Sequence, residues 1–128
     1  MNNHILVLED NEDLLGLMEE ALTNEGYRVT ALHYCKDIFE TLVKYQPGIV
    51  ILDFLLHGIN GGELCHLIKT NRATCHLPVI IISGYFRVLE SLGDYGSDAF
   101  VAKPFSLSQL LSAVNDYLPL PVTVSAFQ

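Results

Sequence analysis

Four apolar runs along the chain each stop at polar residues. The runs 5–8, 49–52, 79–82 and 100–102 end at Glu9-Asp10, Asp53, Ser83-Gly84 and Lys103-Pro104, respectively. Continuous β-branched and leucine-rich runs of this length are typical of strands buried on both faces, as in a parallel sheet. In such a sheet the ligand site lies beyond the carboxyl ends of the strands. The pattern therefore predicts that three acids, a hydroxyl and a lysine meet at one edge.

Helical patterns alternate with these runs. Asn11 or Asp10 can cap a helix whose apolar positions continue to Leu22, and Gly26 supplies a left-handed stop. Residues 27–32 are predicted to form a second, more polar strand, as suits a sheet edge. Further helices are predicted around 38–43, from 63 to 70, over 86–95 in a short or irregular form, and from the N-cap Ser106 to 117 or 118. This alternation predicts a doubly wound α/β fold with right-handed crossovers.

Composition limits the class of protein. The chain has 128 residues, a formal charge of −8, 50% hydrophobic and 17% charged residues, which favours one folded domain with its own core. The negative charge argues against direct binding to nucleic acid or anionic membranes. No apolar run approaches the roughly 18 residues of a membrane span, and three cysteines do not suggest a disulfide framework. We expect a cytoplasmic protein.

The polar residues at the strand ends suit phosphoryl chemistry. Glu9-Asp10 and Asp53 would repel one another unless a cation lay between them, and Mg²⁺ prefers such carboxylate oxygens together with water and phosphate. An aspartate beside that ion can act as a nucleophile toward phosphorus. Lys103 can neutralise negative charge on the new phosphoryl oxygens, and Ser83 can donate a hydrogen bond to another of these oxygens.

With these motifs the chain resembles the receiver domain of two-component response regulators. The matching elements, in order, are residues 5–10, Ile51-Leu52-Asp53, a loop ending in Gly61, Ile82-Ser83-Gly84 and Lys103-Pro104-Phe105. The resemblance covers residues 4–118. It implies a flavodoxin-like, five-stranded parallel sheet with strand order 2-1-3-4-5 and five helices.

The resemblance also implies roles for individual residues. Asp53 would be the phosphoacceptor, and Asp10 a direct Mg²⁺ ligand with Glu9 acting through water; Asp53 and the Leu55 carbonyl would complete the protein's metal ligands. Ser83 and Lys103 would hold the phosphoryl group. Ser83 and Phe100 would form the switch, and the Lys103-Pro104 bond would be cis. His57 departs from the family, which usually has proline at this position.

These features predict a phosphorylation switch and not an enzyme, beyond slow self-phosphorylation from small donors and self-dephosphorylation. A histidine kinase or phosphotransfer protein would supply the phosphoryl group, and an unknown output partner, or a homodimer formed on phosphorylation, would read the state. We expect the receiver domain over 1–118, and a short tail or the start of a linker over 119–128.

Two other functions are compatible with part of this pattern. One is a receiver-like scaffold that is never phosphorylated, against which the intact set of polar residues argues. The other is an aspartate-nucleophile phosphohydrolase, but such enzymes carry a second aspartate where this chain has Leu55. A zinc site at Cys65-His66 and Cys75-His76 is disfavoured by its spacing, with Cys65 expected on an apolar helix face. His4, His33 and His57 show no partner in the sequence and are predicted to lie at the surface.

Overall fold

The computed structural model describes residues 2–56, 60–84 and 95–120, which alternate between strands and helices. The strands are β1 (His4–Leu8), β2 (Arg28–Leu32), β3 (Ile49–Asp53), β4 (Val79–Ser83) and β5 (Ala99–Ala102). The helices are α1 (Glu12–Asn24), α2 (Ile38–Tyr45), α3 (Gly61–Thr70) and α4 (Leu107–Tyr117).

The five strands form one parallel sheet in the order β2-β1-β3-β4-β5, which confirms the predicted topology. Every residue of β1, β3 and β4 is buried, as their uninterrupted apolar runs predict, whereas β2 at one edge is partly exposed. One core cluster joins the sheet to α1 and α4, and a second joins it to α2 and α3. Helices therefore cover both faces of the sheet.

Two helices begin at the N-cap residues that the sequence predicts. Asn11, rather than Asp10, caps α1 by accepting a hydrogen bond from the Leu14 amide at 3.0 Å. Ser106 caps α4 within a reciprocal capping box formed with Gln109. Both predicted starts are confirmed, and each cap satisfies amides that would otherwise lack a partner in the first turn.

The helix count differs from the five expected, because the described residues contain four. The helix predicted over 86–95 falls almost wholly on residues 85–94, which lie outside the described ranges. After them, Tyr95 and Gly96 form a turn with positive φ values of 55° and 81° and lead into β5. Among the described helices none is long and apolar enough to cross a membrane.

His4 is not a surface residue, so that prediction was wrong. It is 6% exposed, its Nε2 lies 2.6 Å from the Thr30 hydroxyl on β2, and its ring meets the Tyr45 ring edge-on with centroids 6.4 Å apart. Both partners are far from His4 in sequence: the pairing of β1 with β2 brings Thr30 to it, and the packing of α2 brings Tyr45. Cys65 is buried as predicted, while His33 and His66 are exposed.

Candidate functional site

The carboxyl ends of the three central strands carry buried polar side chains. Glu9 follows β1, Asp53 ends β3 and Ser83 ends β4, and they are 0%, 5% and 2% exposed. Carboxylates are seldom buried this deeply without a partner. Parallel pairing alone accounts for their position, because β1, β3 and β4 are neighbours that all end at the same edge.

Lys103 is the partner of both buried carboxylates. Its Nζ lies 2.8 Å from Glu9 Oε1 and 3.2 Å from Asp53 Oδ1. The lysine follows β5, and its amide donates a hydrogen bond of 2.9 Å to the Ser83 carbonyl, which continues the pairing of β4 with β5 beyond the last strand residue. The Lys103-Pro104 peptide is cis, as the resemblance implies.

The two carboxylates respond differently to this arrangement. Burial, with the negative charge and hydrogen bond of Glu9, raises the pKa of Asp53 from its ordinary 3.8 to about 7. Burial also acts to raise the pKa of Glu9, but hydrogen bonds with Asp53 and Lys103 outweigh it and the net shift is downward. The ionised form of Asp53 is therefore unfavourable, chiefly because the carboxyl is buried, although Lys103 lies beside it.

The other predicted site residues lie around this centre. Asp10 is exposed directly after Glu9. Leu55 is 52% exposed, and its amide lies 3.4 Å from Asp53 Oδ1. Phe100 on β5 is half-buried and packs against the second core cluster. His57 lies outside the described residues.

The loop after Asp53 depends on a glycine whose steric role the sequence analysis did not identify. A Cβ on Gly61 would lie 2.2 Å from the Asp53 carbonyl oxygen, and the Gly61 amide donates to the Phe54 carbonyl at 2.8 Å. Asn60 caps α3 by accepting from the Glu63 amide at 2.7 Å. Asn-Gly in sequence is a turn and cap signal, but the close approach to Asp53 is visible only in three dimensions.

Gly61→Ala is therefore expected to destabilise the protein by about 2 kcal/mol or more, because backbone has to move away from the new methyl group. Gly16→Ala is the matched control, since nothing lies within 4 Å of a Cβ at that exposed helical position. It should stabilise by up to about 1 kcal/mol. Urea unfolding of both variants checks the pair, and equal stability of the two would contradict the packing.

The donor set suits a hard divalent cation. Glu9, Asp10 and Asp53 supply only oxygen, which Mg²⁺ prefers. In the described part of the chain, the buried Glu9 Oε1 accepts no hydrogen bond of regular geometry despite its ion pair, and burial, together with the neighbouring Glu9, raises the pKa of Asp53. No three His, Cys, Asp or Glu side chains of the described ranges are already gathered as a metal cage. Lys103 contacts two of the carboxylates instead.

Comparison with known proteins identifies the family. The model of the response regulator receiver domain matches residues 5–115, so the chain belongs to this family of two-component signal transduction proteins. Response regulator ArlR of Staphylococcus aureus is 32% identical over 116 residues, which cover 89% of this chain and 52% of ArlR. The chain thus spans about half the length of the curated relatives it matches.

Solved structures agree in fold. A response regulator from Chloroflexus aurantiacus superposes with a TM-score of 0.83 at 24% identity, covering 94% of this chain and all of that one. Response regulator TrrA from Thermotoga maritima, whose crystal structure contains Mg²⁺-BeF, gives a TM-score of 0.80 at 25% identity and covers 91% of this chain and 99% of its own. The receiver fold expected from the sequence is confirmed.

Proposed function

We propose that this receiver domain is a phosphorylation switch in which Asp53 accepts a phosphoryl group. The observation that carries the proposal is the ion-paired cluster at the carboxyl edge of the sheet, where Lys103 Nζ lies within 3.2 Å of both Glu9 and Asp53. A buried carboxylate beside an ammonium costs stability when nothing is bound. Such destabilised groups are typical of functional sites, which supports a chemical role for Asp53.

In the proposed step an Asp53 carboxylate oxygen attacks phosphorus. The new O–P bond forms as the P–N bond of a phosphohistidine breaks, and the leaving imidazole takes the bonding electron pair. With acetyl phosphate the corresponding P–O bond breaks and acetate leaves. Lys103 neutralises charge on the transferred oxygens, and the Ser83 hydroxyl donates a hydrogen bond to one of them. Asp53 has to be ionised for this attack.

Asp10, Asp53 and the Leu55 carbonyl would hold Mg²⁺, with Glu9 acting through water. When bound, the ion would neutralise the carboxylates and the phosphoryl oxygens and keep Asp53 ionised at neutral pH. TrrA, which shares the fold, supports the assignment because its structure contains Mg²⁺-BeF. The proposed ligands leave about half of an octahedral shell to water, so the affinity should be modest.

Ser83 and Phe100 would carry the response to phosphorylation. Ser83 pairs with Ala102 in the β4–β5 register, and Phe100 lies two residues earlier on β5, on the same face of the strand as Ala102. A phosphoryl group that draws Ser83 and Lys103 together would therefore act on the neighbouring ends of β4 and β5. Phe100, half-buried against the second core cluster, can change its packing there.

The phosphoryl donor is proposed to be a histidine kinase or phosphotransfer protein. The output partner would recognise the changed surface, and a homodimer formed on phosphorylation is one form of that output. We assign the receiver unit to residues 1–118, in keeping with the family match over 5–115.

Intact mass spectrometry after incubation with Mg²⁺ and acetyl phosphate tests the proposal. We expect one phosphoryl adduct in the unmodified protein and none in Asp53→Asn. Steady production of free phosphate without an adduct would instead indicate a phosphohydrolase. Neither adduct nor turnover, in protein that is folded and binds Mg²⁺, would indicate a scaffold.

Asp10→Ala should weaken Mg²⁺ binding, and unchanged affinity would overturn the metal assignment.

Asp53→Asn is expected to stabilise the metal-free protein by about 1–2 kcal/mol at pH 8. A carboxyl whose pKa is about 7 in the folded protein and 3.8 when exposed favours folding less and less as pH rises from about 4 to 7. The asparagine lacks this titration, although it also loses the Lys103 ion pair, which keeps the gain small. The advantage of the variant should therefore grow between pH 5 and pH 8.

Thermal and urea unfolding in chelator at several pH values measure this difference. Asp13→Asn is the control for the loss of a carboxylate alone, because Asp13 is an exposed acid in the first turn of α1. A difference between Asp53→Asn and the unmodified protein that stays flat from pH 5 to pH 8 would show that Asp53 is not destabilised by burial next to Glu9.

A further inference from the structure

Two cavities adjoin at the end of the sheet opposite to Asp53. The first, of about 580 Å³, lies between α2 and residues 71–77 and has mainly apolar walls. The second, of about 380 Å³, lies beside the starts of β1 and β2 and has mainly polar walls. Asn2, Val43 and Gln46 line both cavities, so the two form one continuous surface.

The second cavity is positively charged in an acidic protein. Arg28 and Lys44 line it and no acidic residue does. Within the described part of the chain neither cation forms an ion pair, whereas Lys69 and Lys103 do. The Lys44 ammonium lies 5.1 Å from the Tyr45 ring centroid. With a formal charge of −8 overall, such an uncompensated pair of cations is a distinct feature of this surface.

His4 lies between the strand that carries Arg28 and the helix that carries Lys44. It pairs with Arg28 in the β1–β2 register, and its Nε2 lies 2.6 Å from the Thr30 hydroxyl. Its ring also packs edge-on against Tyr45, the residue next to Lys44 at the end of α2. The buried histidine thus connects the strand that carries Arg28 to the helix that carries Lys44.

The first cavity supplies an apolar wall beside this charge. Phe39, Leu42, Val43, Pro47 and Leu77 line it. Val43 is 73% exposed, although Ile38 and Leu42 on the same helix are buried and Phe39 is half-buried. A volume of this size is within the range that holds small organic ligands.

We propose that the adjoining cavities form one binding site for a small amphiphilic anion, with its phosphate or carboxylate group at Arg28 and Lys44 and its apolar body along Val43 and Phe39. Arginine and lysine both bind such oxyanions, arginine by a planar fork and lysine as a point charge. The neighbouring carbonyl of Gln46 already accepts a hydrogen bond from Asn2 Nδ2 at 3.0 Å, so it is less exposed to an anion that enters.

Octyl phosphate, kept below its critical micelle concentration and without Mg²⁺, is the probe for this site. We expect calorimetry to give a dissociation constant at least about tenfold lower than for inorganic phosphate, because burial of several methylene groups is worth more than that factor. 1-Octanol should bind at least about tenfold more weakly than octyl phosphate, since it lacks the charge. Amide shifts in NMR spectra should change around Asn2 and residues 43–46.

Single variants separate the two parts of the site. Lys44→Gln and Arg28→Gln should each weaken octyl phosphate binding about fivefold or more, while Lys36→Gln, which removes the same charge elsewhere on the surface, should not. Val43→Ser should remove most of the advantage of octyl phosphate over inorganic phosphate. Leu17→Ser is its control, because Leu17 is another exposed apolar residue but lies on α1, across the sheet.

Each contrary result overturns a stated part of the proposal. Equal binding of octyl phosphate and inorganic phosphate would exclude the apolar half, and equal binding of octanol would exclude the anion. Equal losses in Lys36→Gln and Lys44→Gln would show that net charge alone is responsible. Shifts confined to residues near Lys103, abolished in Lys103→Ala, would place the ligand at the phosphoacceptor edge and refute the site. Circular dichroism verifies that every variant is folded.

Discussion

Lys103→Ala is expected to accept a phosphoryl group on Asp53 but to lose the structural response around Phe100. The ammonium lies 2.8 Å from Glu9 and 3.2 Å from Asp53, and Lys103 directly follows β5. Mg²⁺ would still neutralise charge during transfer, so an adduct can form. Without the ammonium nothing pulls the end of β5 toward the phosphoryl group, so Asp53 should be phosphorylated without the structural response around Phe100.

The same variant should lose about 2–3 kcal/mol of stability in chelator, because it leaves the fully buried Glu9 without its ion-pair partner. Mg²⁺ should restore part of this loss. Lys69→Ala is the matched control, since Lys69 is another half-buried lysine that pairs with an acid, Asp98, at 3.0 Å and lies away from the phosphoacceptor. It should lose stability but keep the response.

Intact mass and amide chemical shifts measure the two halves of this prediction on one sample. Full adduct formation with unchanged Phe100 shifts is the expected result for Lys103→Ala. A complete conformational response in that variant would show that coupling does not pass through the lysine. Absence of the adduct in a folded, Mg²⁺-binding variant would show instead that the lysine is needed for transfer itself.

The second large effect concerns the lifetime of the phosphorylated state, which should last minutes or longer. Aspartyl phosphate is lost when water attacks in line, and Leu55 borders that path by the family resemblance. It is 52% exposed beside Asp53 and has no polar side-chain group to orient a water molecule. Tyr85, the other residue expected at this path, lies outside the described residues. Poor positioning of the water should cost at least about tenfold in rate.

Leu55→Asn combined with Tyr85→Glu should therefore accelerate loss of the phosphoryl group by about tenfold or more. The decay of the adduct after removal of acetyl phosphate measures the rate in the double variant and in each single variant. Leu67→Asn, another exposed leucine but on α3, controls for a change in polarity alone. Loss within seconds in the unmodified protein would refute the prediction, as would an unaccelerated double variant.

The sequence predicted the sheet because the evidence for buried parallel strands is local. Each of the runs 5–8, 49–52 and 79–82 is continuous and ends at a polar residue, so strand positions and the site edge followed from neighbouring residues. Capping by Asn11 and Ser106 is similarly local, since each side chain bonds to an amide three residues away. These are the predictions that the structure confirms most closely.

Properties that depend on pairing between distant segments could not be predicted in the same way. His4 was misplaced at the surface because Thr30 and Tyr45 contact it only through strand register and helix packing. The lysine contacts at Glu9 and Asp53 join three strand ends, and no sequence spacing reports their distances. The steric demand at Gly61 depends on a backbone oxygen eight residues earlier.

The position of Lys103 has a consequence for which ions the proposed metal site can select. Its ammonium already supplies one positive charge to Glu9 and Asp53, so sodium or potassium entering in its place would exchange one unit charge for another. Such an exchange leaves the net charge of the site unchanged, while the incoming ion loses part of its hydration shell. A divalent ion adds a second positive charge and so reduces the repulsion between the carboxylates further. Lys103 would thus make the site selective for divalent over monovalent cations, so that Mg²⁺ binds there and the surrounding sodium and potassium ions do not.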